Sequence, residues 1–312
     1  MKISVITPVY NAEKYITQAV ESALQFEEVF EVILVEDQSP DNAWGVCKNL
    51  AEKYDRVKLY QHPDQGNHGA GASRNLAISK ASGDYIAFLD ADDFYLPNRF
   101  DAEKKLFENP EVEGVYGAIG VHYYSEKAKE QYFPIFGNKL TTVYKKHQPE
   151  EVFPGQLGMR GSFGLFSIDG LTVRKSAIDK LQPVMQTQLR LHQDTEFLFR
   201  LSYIAQLYPG SIDQAVAMRG VHESNRITQV DSGKVNPAIS RVLLWNEVER
   251  WSKTQTEMPK DIQLHICRMA RSWRIADASF LKKWGMIIKY LFLDFPSIKS
   301  GLYNINFRKT LG

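Results

Sequence analysis

Three aspartates, Asp90, Asp92 and Asp93, fall within four positions directly after the apolar run 85–89 in the stretch DYIAFLDADDFYLP. If that strand continues, Asp90 and Asp92 stand two apart on extended backbone and their carboxylates point to the same side. Carboxylates so close repel unless a cation sits between them. Hard oxygen ligands of this kind suit Mg²⁺ or Mn²⁺, which keep positions open for phosphate oxygens and water. A structural reading gives Asp93 or a neighbour another task, capping a helix over LPNRFDAEKKL in which Pro97 fits the first turn. It leaves Asp90, just behind Phe88 and Leu89, still to be explained.

A second carboxylate of interest comes about a hundred residues later, in LRLHQDTEFLFRLSYIAQLYP. The spacing predicts a helix with Phe197, Leu198, Leu201 and Ile204 inward, and it puts Asp194 in the first turn. The helix dipole favours a carboxylate there, which is reason enough for a purely structural cap. Glu196, two residues on, points elsewhere.

The elements that must carry these groups alternate. KISVITP reads as a first strand, after which Pro8 and Asn11 break the run and a helix opens near AEKYITQAVESALQ. FEVILVED, RVKLYQH and DYIAFLD read as three further strands, separated by helices over PDNAWGVCKNLAEKY and GASRNLAISKAS. Their near-continuous apolar content predicts burial on both faces, hence an α/β fold with a doubly wound, mostly parallel sheet. In such sheets ligands bind past the carboxyl ends of the strands. Thr7, Pro8, Tyr10 and Asn11, then Glu36 and Asp37, then DQGNHGAGASRN, then Asp90 to Asp93 stand there. The glycine-rich loop lacks the Gly-Lys-Ser/Thr ending of a phosphate loop, and it follows the third strand instead of the first, so it is no dinucleotide fingerprint either. Its small residues Gly69, Gly71 and Ser73 permit a tight turn into a helix whose amino terminus favours anionic phosphate.

Composition narrows the partners. The 312 residues carry 38 basic and 37 acidic side chains, a net charge of +1, which gives no footprint for nucleic acid. With 44% apolar residues the chain can bury a sizeable core. Cys47 and Cys267 lie far apart without metal-type spacing, as expected of a reduced cytosolic protein. MKISVITPVYNAEKY lacks a cleavage site for secretion, and no apolar run reaches the ~18 residues of a spanning helix. A cytoplasmic location follows as the expectation.

Taken in order, SVITPVYNAEKYITQAVESAL, EVILVEDQSPDNAW, GNHGAGASRNLAISKASGDYIAFLDADDF and LHQDTEFLFRL resemble the successive motifs of the family 2 glycosyltransferases, over roughly residues 1 to 225. The resemblance implies a GT-A fold and an inverting transfer of a sugar from a nucleotide diphosphate sugar, commonly a UDP-sugar, to an acceptor hydroxyl. It implies that DADD is the DxD motif, with Asp92 the direct ligand of Mn²⁺ or Mg²⁺ and Asp90 holding the ribose or the metal's water shell. It places Tyr10 against a uracil ring, Asp37 on the base imide and Arg74 toward the nucleotide, beside Thr7 and Pro8. It makes Asp194 the general base. His222, in MRGVHESNRIT, completes the metal site or touches the diphosphate, with Arg219 and Arg226 as candidate diphosphate contacts. The chain departs from the usual pattern at Glu36, at QSPD and at Gln193.

The domains expected are 1–230, with a nucleotide-binding half to 105 and an acceptor half from 106, and a helical extension over 231–312. GSFGLFSIDGLTVRKSAIDKL resembles the family's segment of acceptor-side strands followed by a short helix after Arg174, whereas VYGAIGVHYYSEKAKEQYFPIFGNKL shows only a strand and a loop. In the extension, Trp284, Met286, Ile287, Ile288, Tyr290, Leu291 and Phe292 mix with Lys282, Lys283 and Lys289. Such a stretch lies on a membrane surface, which suits a lipid-linked glycan acceptor, or packs against its own domain, the commoner arrangement. Two other functions compete. A sugar-nucleotide pyrophosphorylase needs a glycine- and arginine-rich loop where this chain has PVYNAEKY, and a non-catalytic nucleotide-sugar binding protein needs no base at Asp194.

Overall fold

The computed structural model describes residues 1–159, 161, 163–223, 225 and 237–302. They divide into two compact units, one of Met1–Gln188 with Phe197–Asn225, the other of Leu189–Glu196 with the described residues after Asn225. No sequence signal marked residues 189–196 as part of the C-terminal unit.

The first unit opens with the expected alternation: β1 (Ile3–Val9), α1 (Ile16–Leu24), β2 (Val29–Glu36), α2 (Ala43–Lys53), β3 (Val57–Gln61), α3 (Ala70–Lys80) and β4 (Tyr85–Phe88). Strand parity sorts the side chains into two layers. Ile3, Val5, Val9, Val32 and Leu34 pack with Ala19, Val20 and Cys47 of α1 and α2. Ile6, Ile33, Val35, Ile86 and Phe88 pack on the other face with Ala77 and Ile78 of α3. Both faces are covered, which is why the strands read as continuous apolar runs.

β1 does not stop at Pro8. It runs on to Val9, with Pro8 opposite Val35. A proline is normally excluded from a central strand because it donates no ladder bond. Pro8 is tolerated because the missing N–H would point to the β4 side, where pairing ends at Ile6 with Phe88.

Further along come β5 (Phe94–Tyr95), α4 (Asp101–Leu106), β6 (Gly114–Tyr116), β7 (Ala118–Tyr123), α5 (Glu126–Phe136), α6 (Pro149–Gln156), β8 (Leu171–Arg174), α7 (Lys175–Ile178), α8 (Gln193–Ile204), β9 (Leu207–Pro209) and β10 (Ala215–Val221). The main sheet has the order β3-β2-β1-β4-β8-β6-β9, parallel through β4 and antiparallel on both sides of β8. A small sheet, β5-β10-β7, stands apart. In α8, Phe197, Leu198 and Leu201 are buried in the core and Ile204 packs on it, as the spacing predicts. Phe197 meets Phe88 edge-on at 5.6 Å, and truncating such a buried ring to alanine costs about 3–5 kcal/mol. The segment that showed only a strand and a loop contains α5, started by Ser125, whose Oγ accepts from the Ala128 amide at 3.0 Å.

The second unit holds α9 (Pro237–Ser252), α10 (Lys260–Asp277), α11 (Phe280–Leu293) and α12 (Phe295–Leu302). Asp294, at the α11–α12 joint, pairs with Arg268 at 2.9 Å and Arg271 at 2.7 Å from α10. Glu249 of α9 pairs with Arg274 at 2.7 Å. Among the described residues no helix is long and apolar enough to cross a membrane.

Candidate active site

The strand that leads to the aspartates does not continue. β4 ends at Phe88, and the Asp93 amide donates to the Asp90 carbonyl at 3.0 Å, closing a turn over Asp90–Asp93. The Asp90 amide turns away to Asp169 Oδ1 at 2.9 Å instead of pairing with a strand. Asp90 and Asp92 are therefore not the two neighbours on one side that extended backbone would make them. Asp90 instead converges with Asp93 and Asp169, each offering an oxygen within 4.8 Å of the others. Asp93 caps no helix. Its Oδ1 accepts from the Gly220 amide of β10 at 2.8 Å, and α4 begins only at Asp101, well past Pro97. Asp169 sits in a 3-10 turn, Ile168–Gly170, that enters β8, and its Oδ2 accepts from Ser167 Oγ at 2.9 Å. Nothing in the motifs pointed to Asp169. The available signal was a lone acid inside the apolar run GLFSIDGLTV.

Burial and the neighbouring Asp90 push the Asp169 carboxyl up to about 6. Burial first, then Asp169, Asp92 and Asp90, push Asp93 well above the ordinary carboxylate range. Arg74, buried on α3, pairs directly with Asp90. Three acids against that guanidinium leave an excess of negative charge among hard oxygen donors. This set fits a divalent ion such as Mn²⁺ or Mg²⁺.

Asp92 and His222, both expected at the metal, do meet: His222 Nε2 lies 3.1 Å from Asp92 Oδ2. The same oxygen accepts from Asn225 Nδ2 at 2.8 Å, and the Asp92 carbonyl accepts from the Tyr124 hydroxyl at 3.1 Å. His222 is buried and stacks on Tyr15, ring centroids 4.4 Å apart. Gly220 makes this crossing possible, because a Cβ there would lie 2.0 Å from the Asp92 carbonyl oxygen. Asn225, Tyr15 and Tyr124 escaped the sequence reading. Arg219 lies on β10, and Arg226 lies outside the described residues.

At the nucleotide end, Thr7 is buried within β1 and its hydroxyl has no hydrogen-bond partner among the described residues. Pro8 lies beside it in the strand. Tyr10 is 45% exposed, just before Asn11 turns the chain at φ +55°. Asp37 is buried, and its two carboxylate oxygens accept from the His68 and Gly69 amides, each at 2.7 Å. Its carbonyl accepts from Asn67 Nδ2 at 2.7 Å, so Asp37 shapes the glycine-rich loop that leads into α3. Gly69, at φ +87°, needs to be glycine. Two of the departures from the family pattern, Glu36 and QSPD, have structural work. Glu36 accepts from the Ser39 amide and from Gln61 Nε2, Ser39 Oγ accepts from the Asn11 amide, and Asp41 accepts from the Glu13 amide. These bonds tie the loop after β1 to the loop after β2.

Asp194 stands in the first turn of α8, as expected, and belongs to the second unit. Its Oδ1 accepts from the Thr195 amide at 2.8 Å. Within that unit, burial pushes the Arg241 guanidinium down and the Asp194 charge opposes the shift. The preceding residue but one, His192, adopts φ +61°.

Residues 4–166, just over half of the chain, match the family model described as Glycosyl transferase family 2, and the chain belongs to that family. An uncharacterized glycosyltransferase of Haemophilus influenzae is 43% identical over 102 residues, 32% of this chain and 40% of that one. One from Nostoc sp. is 26% identical over 230 residues, 72% of this chain and 66% of the relative. The minor teichoic acid biosynthesis protein GgaB of Bacillus subtilis is 36% identical over 124 residues, 38% of this chain and 13% of GgaB. The matched stretches thus span from 13% to 66% of these relatives' own lengths. Among solved structures, Staphylococcus aureus TarS 1–349 in complex with UDP-GlcNAc superposes with TM-score 0.63 at 18% identity, over 97% of this chain and 80% of that one. The mannosyltransferase PcManGT from Pyrobaculum calidifontis, in complex with GDP-Man and Mn²⁺, gives 0.55 at 14% identity, over 99% and 86%. These likenesses show a GT-A fold.

Proposed function

We propose that this chain is an inverting, metal-assisted glycosyltransferase that moves a hexose or N-acetylhexosamine from a UDP-sugar to an acceptor hydroxyl. The observation that carries the reading is the convergence of Asp90, Asp93 and Asp169 past β4, beside the Asp92–His222 pair. The neighbour solved with UDP-GlcNAc and the relative in teichoic acid synthesis support a UDP-sugar donor and a role in surface polysaccharide or glycolipid synthesis. The acceptor is then a glycan or lipid-linked glycan, met on the cytoplasmic side, at the inner face of the membrane.

In this mechanism Tyr10 lies against the uracil, Asp37 holds the loop that borders the base, and Arg74 holds the Asp90 carboxylate in place through their ion pair. Asp90, Asp93 and Asp169, with Asp92 and His222 beside them, would hold a divalent ion, which would supply positive charge to offset that developing on the diphosphate. The acceptor oxygen bonds to the anomeric carbon as the bond from that carbon to the diphosphate oxygen breaks. Asp194 takes the hydroxyl proton, and UDP leaves from the opposite face, so configuration inverts in one displacement.

Calorimetric titration of UDP, GDP and dTDP, each with and without Mn²⁺, tests the donor. Binding of UDP that requires the metal is expected. If no nucleotide binds with metal present, the reading fails and a fold without donor chemistry takes its place.

A further inference from the structure

Helix α11 has two apolar faces, and among the described residues only one of them is packed. Met286, Ile287 and Tyr290 pack on Ile275, Ala276 and Ile298 of the neighbouring helices. Leu281, Trp284, Ile288, Leu291 and Phe292, spaced three, four, three and one apart, form a separate stripe, and all are exposed, Leu281 to 84% and Phe292 to 87%. The same stretch, expected to pack on its own domain, does so through the first face alone among the described residues. A Cβ built on Gly285, beside the stripe, would meet nothing within 4 Å. Contiguous exposed apolar surface of this kind on a monomer marks an interaction site.

Charge selects the partner. From Ser279 to Leu293 there is no aspartate or glutamate, and Lys282, Lys283 and Lys289 are the only charges. At 100° per residue Lys282 and Lys289 fall within about 20° of each other on one flank of the stripe. The next acid, Asp294, is already paired with Arg268 and Arg271. A helix of 14 residues is about 21 Å long, too short for a hydrocarbon core of about 30 Å, so it can lie in a bilayer surface but not span it. An indole at the edge of the apolar face suits the interface, where one side of the ring is wet.

We infer that the outward face of α11 docks the protein on an anionic lipid bilayer, with the apolar stripe among the acyl chains and the lysines on the headgroup phosphates. The inference goes beyond the transfer reaction, and its test reads lipid binding without any donor or acceptor.

The test is co-sedimentation of the full chain with vesicles of mixed phosphatidylglycerol and phosphatidylcholine, against vesicles of phosphatidylcholine alone. The protein is expected to pellet with the anionic vesicles at low salt and to stay largely in solution with the neutral ones. Lys282→Gln with Lys289→Gln should weaken binding about 25-fold, from roughly fivefold per lysine. A triple variant, Leu281→Glu, Ile288→Glu and Phe292→Glu, should weaken it at least about a hundredfold. Circular dichroism and the melting midpoint of that variant should match the parent, because all three side chains are exposed. Absence of binding to anionic vesicles overturns the inference. So does a triple variant that binds as well as the parent. A dimer by light scattering that the triple variant dissociates, with no vesicle binding, assigns the face to a second copy. Vesicle binding that appears only after deletion of residues 303–312 assigns it to the chain's own end.

Discussion

The Gly220 amide donates to Asp93 Oδ1 at 2.8 Å across 127 residues of sequence, and this bond fastens β10 to the turn that ends the fourth strand. Since a Cβ on Gly220 would lie 2.0 Å from the Asp92 carbonyl oxygen, neither segment can yield without moving the other. Gly220→Ala should lower stability by about 1–3 kcal/mol, as overpacking against backbone does. It should also weaken metal-dependent UDP binding at least tenfold. Urea unfolding and calorimetry read the two effects, and an unperturbed variant would show that the crossing is looser than the geometry states.

Asp169 gives the site a pH signature. Its carboxyl titrates at about 6 in the folded chain, above the ordinary 3.8, so the folded state holds the proton more tightly than the unfolded one. Its contribution to stability is full below about pH 4 and is lost as pH rises through about 6. Asp93 shifts in the same direction. In EDTA the melting midpoint should therefore fall across this window, and Asp169→Asn should flatten the fall. Mn²⁺ should raise the midpoint near neutral pH and do little near pH 4, because cation and proton compete for the same oxygens. Asp92→Ala should abolish metal-dependent donor binding, and full activity in that variant would remove Asp92 from the metal site.

Asp194→Asn keeps the shape of the side chain and removes its ability to take a proton. Transfer should drop by about 10²–10⁴-fold while UDP affinity stays within error. Unchanged transfer would place the base elsewhere.

Asp37→Asn points an amide group at one of two backbone N–H donors that the carboxylate now satisfies. Leaving a buried donor unmatched costs about 1–3 kcal/mol. The variant should lose that much stability in urea and bind UDP more weakly, with kcat less affected than KM. A normal KM would mean that the His68–Gly69 loop keeps its shape without the carboxylate.

The parallel half of the sheet, β1 to β4, was legible in the chain because its central strands are buried on both faces, so apolar runs and helical spacing coincide with the elements, whereas β6 and β9 on the far side of β8 were not placed. The site was legible only in part. The residues past the strand ends stand where the doubly wound rule puts them, but the direction of the aspartates is decided by Asp169, 79 residues beyond Asp90, and by a glycine on β10. Local periodicity carries no trace of either. The α11 stretch shows the converse difficulty. One helix bearing two apolar faces has the same composition as one packed on every side, and only the fold shows which face Ile287 buries and which Phe292 leaves open.

The carboxylate cluster draws on segments near residues 90, 169 and 220, in that order. During synthesis the sheet's parallel half, complete by Phe88, leaves the ribosome long before β10 does. A product cut short ahead of Gly220 would keep that half, with its glycine-rich loop, yet lack the amide that holds Asp93 and the imidazole that faces Asp92. Such a fragment would carry all three acids of the cluster but not the strand that fixes Asp93, and the arrangement is complete only once the last of the three segments has arrived.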